Sequence, residues 1–379
     1  MSLVVDEHRA YLADQARMSA FCKAIGETVK PGDVVLDLGS GTGILGLFAC
    51  RAGATRVYSI EEGGMVELAR AICRANGFHD RVTFIKGLST RVELPERVDV
   101  VVADQIGRFG FEAGLPEYFD DARRRFLKPD GRLLPSCVEM WVAPVECPEM
   151  FAQVEFWNDS PAGFDFRPAR SWAANTGYPV KLRADHLLSD PVSAALLDLS
   201  ITIPTPLTLE ASVLATRAGN LHGIGGWFSA RLSNSVTMSN SPLATHSINR
   251  RNVFFPVDRP VGLEKGDRVR IKMQILPSEL VITWEVEVWG MADARKARFT
   301  HSTFHGMLIC KEDLERTQPH FIPKLSPWGD ARRSILNLCD SQRTLAEIEQ
   351  EIYSHYPELF RSLGEAAAFV AEVITRYSL

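Results

Sequence analysis

Residues 34–49 read VVLDLGSGTGILGLFA, and the fold is decided in this run. VVLDL is a short apolar stretch rich in valine and leucine, as expected of a buried strand, and ILGLFA continues with helical spacing. Between them Gly39, Gly41 and Gly43 let the backbone turn sharply off the strand and approach a ligand with no Cβ in the way. The helix that follows aims free N–H groups and its positive dipole end into the same crevice. A polar ligand is therefore expected at the carboxyl edge of a sheet.

The flanks repeat the pattern. RVYSIE (56–61), VTFIKG (82–87) and VDVVVAD (98–104) read as further strands, with MVELARAICRAN (65–76) as a crossover helix. A helix then reaches Leu127, and KPDGRLLP (128–135) marks the turn into another strand. Apolar strands alternating with helices specify a parallel sheet covered on both faces, so residues 1–135 are expected to form a doubly wound, Rossmann-like α/β domain. From 136 to 310 the period changes to two. VEMWVAPV, GGWFSARL, NVFFPV, RVRIKMQI and LVITWEVEVW are separated by polar or glycine-containing turns, which predicts an antiparallel β-barrel or sandwich. Within it, 163–190 is not strand-like and reads either as an interaction arm or as a long surface loop. The remainder, 311–379, carries helical periodicity in GDARRSILNLC, in TLAEIEQEIYSHY opening at a Thr344 cap, and in EAAAFVAEVITRY. A small helical domain is expected there.

Bulk composition narrows the function. A chain of 379 residues invites two or three domains, and 46% hydrophobic with 23% charged residues suits globular cores. The formal charge of −5 lacks the basic face that nucleic acid requires. No apolar run approaches the roughly 18 residues of a membrane span, and MSLVVDEHRAYL is acidic where a signal peptide is basic. Seven scattered cysteines without CxxC spacing suggest reduced cytoplasmic thiols, not a disulfide framework or zinc cluster.

Glycine spacing alone does not name the ligand, because Gly41-x-Gly43-x-x-Gly46 also meets the dinucleotide fingerprint. Asp37 discriminates. A carboxylate just before the first glycine repels a diphosphate and suits a ligand with a cationic amino group, as in S-adenosyl-L-methionine. Glu61, ending the second strand, can accept hydrogen bonds from both ribose hydroxyls of either ligand. A nicotinamide dehydrogenase, or a Rossmann domain with only a structural role, is the competing reading.

The motif run VVLDLGSGTGILGLFACRAGATRVYSIE resembles the core of the protein arginine methyltransferases, and the likeness continues along the chain. HRAYLADQAR (8–17) is similar to the family's N-terminal helix. This implies that His8 and Arg17 enclose the cofactor, with Arg17 on its carboxylate. FIKGLSTRVELP (84–95) follows the adenine-side motif, with Thr90 in place of the acidic contact, and LHGIGGWFSARL (221–232) carries the likeness into the barrel. The family's paired-glutamate hairpin is matched by ADQIGRFGFEAGL, where Asp104 and Glu112 stand for the two acids, with one residue fewer between them. Thr245-His246-Ser247 resembles the family's Thr-His-Trp loop without its Trp, and His246 is the implied proton acceptor. Segment 163–190 lies where the family carries its dimerisation arm, which implies a homodimer. The tail PKLSPWGDARRSILNLCDSQRTLAEIEQEIY resembles small PqqD-type domains that bind leader peptides by strand addition.

The expectation is direct, metal-free methyl transfer to a guanidino nitrogen of peptidyl, protein or free arginine. Asp104 and Glu112 would grip the cation, and alignment and desolvation would supply the rate. Two alternatives stay open: a tailoring enzyme acting on another N or O nucleophile of a natural product or ribosomal peptide, and a non-catalytic binding partner.

Overall fold

The computed structural model describes residues 4–378, so the outermost residues of the first and last expected domains, 1–3 and 379, lie outside it. The chain divides into two compact units, 1–307 and 308–379, three residues earlier than the boundary expected from periodicity.

Two helices open the larger unit, α1 (Val4–Ala13) and α2 (Gln15–Thr28), broken at Asp14, whose side chain caps the second by accepting the Arg17 N–H. There follow β1 (Val34–Leu38), α3 (Ile44–Ala52), β2 (Arg56–Glu61), α4 (Met65–Ala75), β3 (Val82–Lys86), β4 (Val98–Ala103), α5 (Leu115–Arg125) and β5 (Leu127–Leu134). These strands form one parallel sheet in the order β3-β2-β1-β4-β5. The order reverses between β1 and β4, the switch point where such sheets open a ligand crevice at the strands' carboxyl ends. The KPDG segment, expected as a turn before a strand, lies inside β5; the register against β4 shifts between Val98 and Val100 to accommodate it.

The second half of this unit contains β6 (Cys137–Val145), α6 (Pro148–Glu155), α7 (Arg170–Ala174), β7 (Tyr178–Val180), β8 (Val192–Asp198), β9 (Leu207–Leu214), β10 (Gly219–Arg231), β11 (Thr237–Ser239), β12 (Asn252–Leu263), β13 (Arg268–Leu276), β14 (Val281–Trp289) and β15 (Arg295–Ser302). Two antiparallel sheets result, ordered β7-β12-β10-β6-β8 (with β11 beside β10) and β15-β14-β13-β9. Strict alternation in β13 and β14 buries Val269, Ile271, Met273, Trp284, Val286 and Val288, and Trp284 packs on Phe255 of the other sheet. Segment 163–190 is short helical turns, α7 and β7, and it exposes Phe164, Phe166 and Trp172.

The smaller unit holds α8 (Lys311–Arg316), α9 (Pro327–Leu338), α10 (Leu345–His355) and α11 (Leu363–Tyr377) around Ile335, Ile348, Ile352, Val370 and Val373. Thr344 caps α10 as expected, and Glu347 completes a reciprocal capping box with it. Ser341, between α9 and α10, sits at φ 65°. Among the described residues this unit has no strand, so peptide capture by strand addition has no edge to extend here. No helix among the described residues is long and apolar enough to cross a membrane. All seven cysteines are unpaired.

Candidate active site

The glycine turn is shaped by three left-handed residues, Gly39, Gly41 and Gly43, at φ 67°, 52° and 77°. A Cβ on Gly39 would fall 2.0 Å from Gln105 Nε2, and one on Gly41 would fall 2.4 Å from His8 Cε1. His8 from α1 and Gln105 from the end of β4 therefore lie directly on the turn. Glu61 holds the turn from behind, accepting the Gly41 N–H at 2.9 Å and the Gly63 N–H at 2.8 Å. Asp37 is fully buried; its Oδ2 accepts the Gly46 N–H at 2.9 Å, and its Oδ1 has no partner.

That orphaned oxygen tests which ligand fits. Burial pushes the Asp37 carboxyl up to about 7, with the Gly46 N–H pulling the other way and Glu61 adding repulsion. A nearby cation would relieve this cost, whereas a diphosphate would deepen it. Because the raised value lets the folded chain keep a proton that the unfolded chain loses, this group's contribution to stability is greatest below about pH 4 and declines as pH rises to about 7. A cationic cofactor prefers the ionised form. Its affinity should therefore rise about tenfold between pH 5.5 and pH 7, and Asp37→Asn should flatten the dependence. Calorimetric titration with S-adenosyl-L-methionine across that range checks both.

In front of the turn lies a cavity of about 630 Å³, within the size range of small-ligand sites. Of the residues expected at the site, His8, Arg17, Gly39, Gly41, Asp104 and Glu112 line it. Asp37, Gly43, Glu61 and Thr90, the last half-buried in the short helical turn Ser89–Arg91, are not among the lining residues.

Asp104 follows β4 directly, and its side chain is only 5% exposed. It accepts from Arg17 Nε at 2.5 Å and, in two-point fashion, from Arg250 Nη1 at 3.2 Å and Nη2 at 2.9 Å. Burial alone would raise the Asp104 carboxyl, but the charges and hydrogen bonds of Arg250 and Arg17 outweigh it and hold the group below the usual carboxylate range. Asp104 is thus an anion under any ordinary condition. Arg17 is fixed in turn by stacking over Tyr11, 4.9 Å from the ring centroid, and by donating to the Tyr11 carbonyl at 3.3 Å.

The other two expected catalytic groups are placed differently. Glu112 turns back into its own hairpin, where it accepts backbone N–H groups from Arg108, Phe109, Gly110 and Phe111 at 2.9–3.3 Å. A four-donor cradle leaves it shaping the loop more than facing solvent. His246 is exposed and is not among the cavity-lining residues, so the proton-acceptor role implied for it has no geometric basis here. Its loop instead sends in Arg250, and the Asn249 N–H ties the loop to Asp14 at 2.7 Å. Arg250 and Gln105 are what the motif-based reading left out of the site. Arg250 lies 146 residues from the carboxylate it meets, so no local pattern announces it.

Comparisons with known proteins converge on one relationship. Residues 137–286 match the family model described as arginine methyltransferase oligomerization subdomain, and 18–136 match that of ribosomal protein L11 methyltransferase. The chain is similar to protein arginine N-methyltransferase 6 of Xenopus tropicalis, 31% identical over 291 residues, covering 73% of this chain and 85% of the relative. It is 29% identical over 273 residues to an arginine N(omega)-methyltransferase of Streptomyces achromogenes subsp. streptozoticus, covering 70% and 75%. Among solved structures, Trypanosoma brucei protein arginine methyltransferase 1, in an enzyme–prozyme heterotetramer with S-adenosylhomocysteine, shares the fold. Its TM-score is 0.71 at 21% identity, covering 78% of this chain and 97% of that one.

Proposed function

The chain belongs to the protein arginine methyltransferase family, and from that premise we propose that it transfers a methyl group from S-adenosyl-L-methionine to a guanidino nitrogen of arginine. The observation that carries this reading is Asp104: a buried, permanently ionised carboxylate beside the glycine turn that already pairs with planar guanidinium groups. The cofactor, when bound, supplies an electrophilic methyl on a sulfonium.

The chain's own residues do the rest. Arg17 would hold the cofactor carboxylate while staying hydrogen-bonded to Asp104, so that cofactor and acceptor are registered against one side chain. His8 and Gln105 cover the turn and exclude water. Asp37, Gly39, Gly41, Gly43 and Glu61 would form the cofactor cradle, with Thr90 on its adenine side. An ionised Asp104 draws the substrate's positive charge toward the nitrogens it binds, which leaves lone-pair density on the remaining one for in-line attack; the methyl's bond to sulfur would break as the nitrogen takes it, and the proton that nitrogen sheds would pass to solvent. Glu112 keeps the hairpin in shape for this. Arg250 occupies the position a substrate guanidinium would take on Asp104 and would have to swing out before the substrate binds.

Incubation with methyl-labelled cofactor and arginine peptides, free arginine or cell protein should give methylarginine on acid hydrolysis, read by mass spectrometry. Label appearing only on other nitrogen or oxygen nucleophiles would sink the proposal. The arm-like segment, with Phe164, Phe166 and Trp172 exposed, supports a homodimer. Light scattering should report a dimer for the native chain and a monomer for the double variant Phe164→Ser/Trp172→Ser. The unpaired thiols suit a cytoplasmic, reducing setting.

A further inference from the structure

Both ends of the segment between β6 and β8 meet at a cluster that the methyl-transfer site does not use. Cys147 follows β6 and precedes the first turn of α6, and it is completely buried. Glu149 is the second residue of α6, with its side chain half exposed. His186 closes the short helical turn Ala184–His186 and is 4% exposed. The sulfur, one carboxylate oxygen and one imidazole nitrogen lie within 4.8 Å of one another, and His186 Nε2 is 3.3 Å from Glu149 Oε1. In a tetrahedral sphere with bonds of about 2.0–2.3 Å, neighbouring ligand atoms stand about 3.3–3.7 Å apart.

Neither ring nitrogen of His186 has a hydrogen-bond partner. The Nε2 contact with Glu149 Oε1 at 3.3 Å does not meet hydrogen-bond geometry, so this buried imidazole keeps a lone pair free to ligate. The framework around it is rigid. The His186 carbonyl accepts the Glu146 N–H at 2.8 Å, and His222 Nδ1 accepts the Cys147 N–H at 3.1 Å. None of these residues lines the cofactor cavity.

We propose that Cys147, Glu149 and His186 bind a zinc-class divalent cation, with Asp185 or water as the fourth ligand. Asp185 Oδ1 already stands 4.0 Å from His186 Nε2. Its present partner, Arg183, which also lies 3.8 Å from Glu149, has an exposed side chain free to rotate away. Thiolate, imidazole and carboxylate together favour zinc over magnesium or calcium. The ion would pin the start of α6 to the 184–186 turn, fixing both ends of the segment between β6 and β8; its role is structural. Coordination as a thiolate must displace the Cys147 proton into solvent. Binding therefore weakens as pH falls.

The test is titration of the full chain, stripped by chelator, with Co(II) as a spectroscopic stand-in for zinc. The expected result is saturable binding with a thiolate-to-cobalt charge-transfer band in the near ultraviolet, absent in Cys147→Ser. Glu149→Gln, on an exposed side chain that the fold tolerates, should weaken binding by about tenfold or more, since even outer-sphere partners are worth that much. Absence of the band in the native chain, its persistence in Cys147→Ser, or unchanged affinity in Glu149→Gln would each overturn the assignment.

Discussion

Replacing Asp104 by Asn should lower kcat/KM for an arginine peptide by about two to three orders of magnitude. Breaking a buried ion pair costs about 3–5 kcal/mol, and each 1.4 kcal/mol of lost transition-state binding is about a factor of ten. Asn keeps the shape and the hydrogen-bonding capacity but removes the charge that draws the substrate cation into line. The same change leaves the Arg17 and Arg250 guanidinium groups, only 10% and 14% exposed, without their anion, so the melting temperature should fall as well. The assay therefore belongs well below the variant's unfolding transition. Methylation within threefold of the native rate in a folded Asp104→Asn chain would eliminate the guanidinium clamp while leaving cofactor binding untouched as a reading.

Arg250→Ala should move the Michaelis constant in the opposite sense, lowering KM for arginine substrates by about tenfold or more without raising kcat. The internal guanidinium makes two charge-assisted hydrogen bonds to Asp104, and a substrate has to replace them. Each such bond contributes about 1.5–3 kcal/mol net, of which the substrate recovers only part on displacing its rival. A second readout separates this from a loss of structure. Without Arg250, burial is opposed by Arg17 alone, so the Asp104 carboxyl titrates at higher pH and the acid limb of kcat/KM shifts upward. A rise in KM with a fall in kcat would mean that Arg250 holds Asp104 in place throughout turnover. The placeholder reading would then be wrong.

Chemistry at the site follows from the sheet's switch point. The strand ends of β1 and β4 bring Asp37 and Asp104 to the same edge, yet burial treats them oppositely. Asp37, with one N–H donor and a neighbouring Glu61, is pushed up to about 7; Asp104, with two guanidinium partners, is held low. Under the proposed function, one carboxyl would respond to a cationic cofactor and the other would bind a cationic acceptor. Two acids in one crevice acquire different tasks from their surroundings alone.

How much of this was legible in the chain depends on the range of the physics involved. Strands β1 to β4, the glycine turn and the Thr344 cap were readable because hydrophobic period, positive φ and helix capping are settled within a few residues. Asp37 and Glu61 were readable because they border those same turns. Motif likeness carried the family assignment and pointed to Asp104, but local sequence could not say who would pair with it. Arg17 reaches it across 87 positions and Arg250 across 146; Glu112 folds back on its own loop, and His246 stays outside. The Cys147–His186 cluster likewise spans two elements with no shared spacing. By itself the sequence determined the backbone path and the kind of cofactor crevice. Only the tertiary structure decided which charges met inside it, because electrostatic pairing depends on distances that loop geometry creates and residue order does not encode.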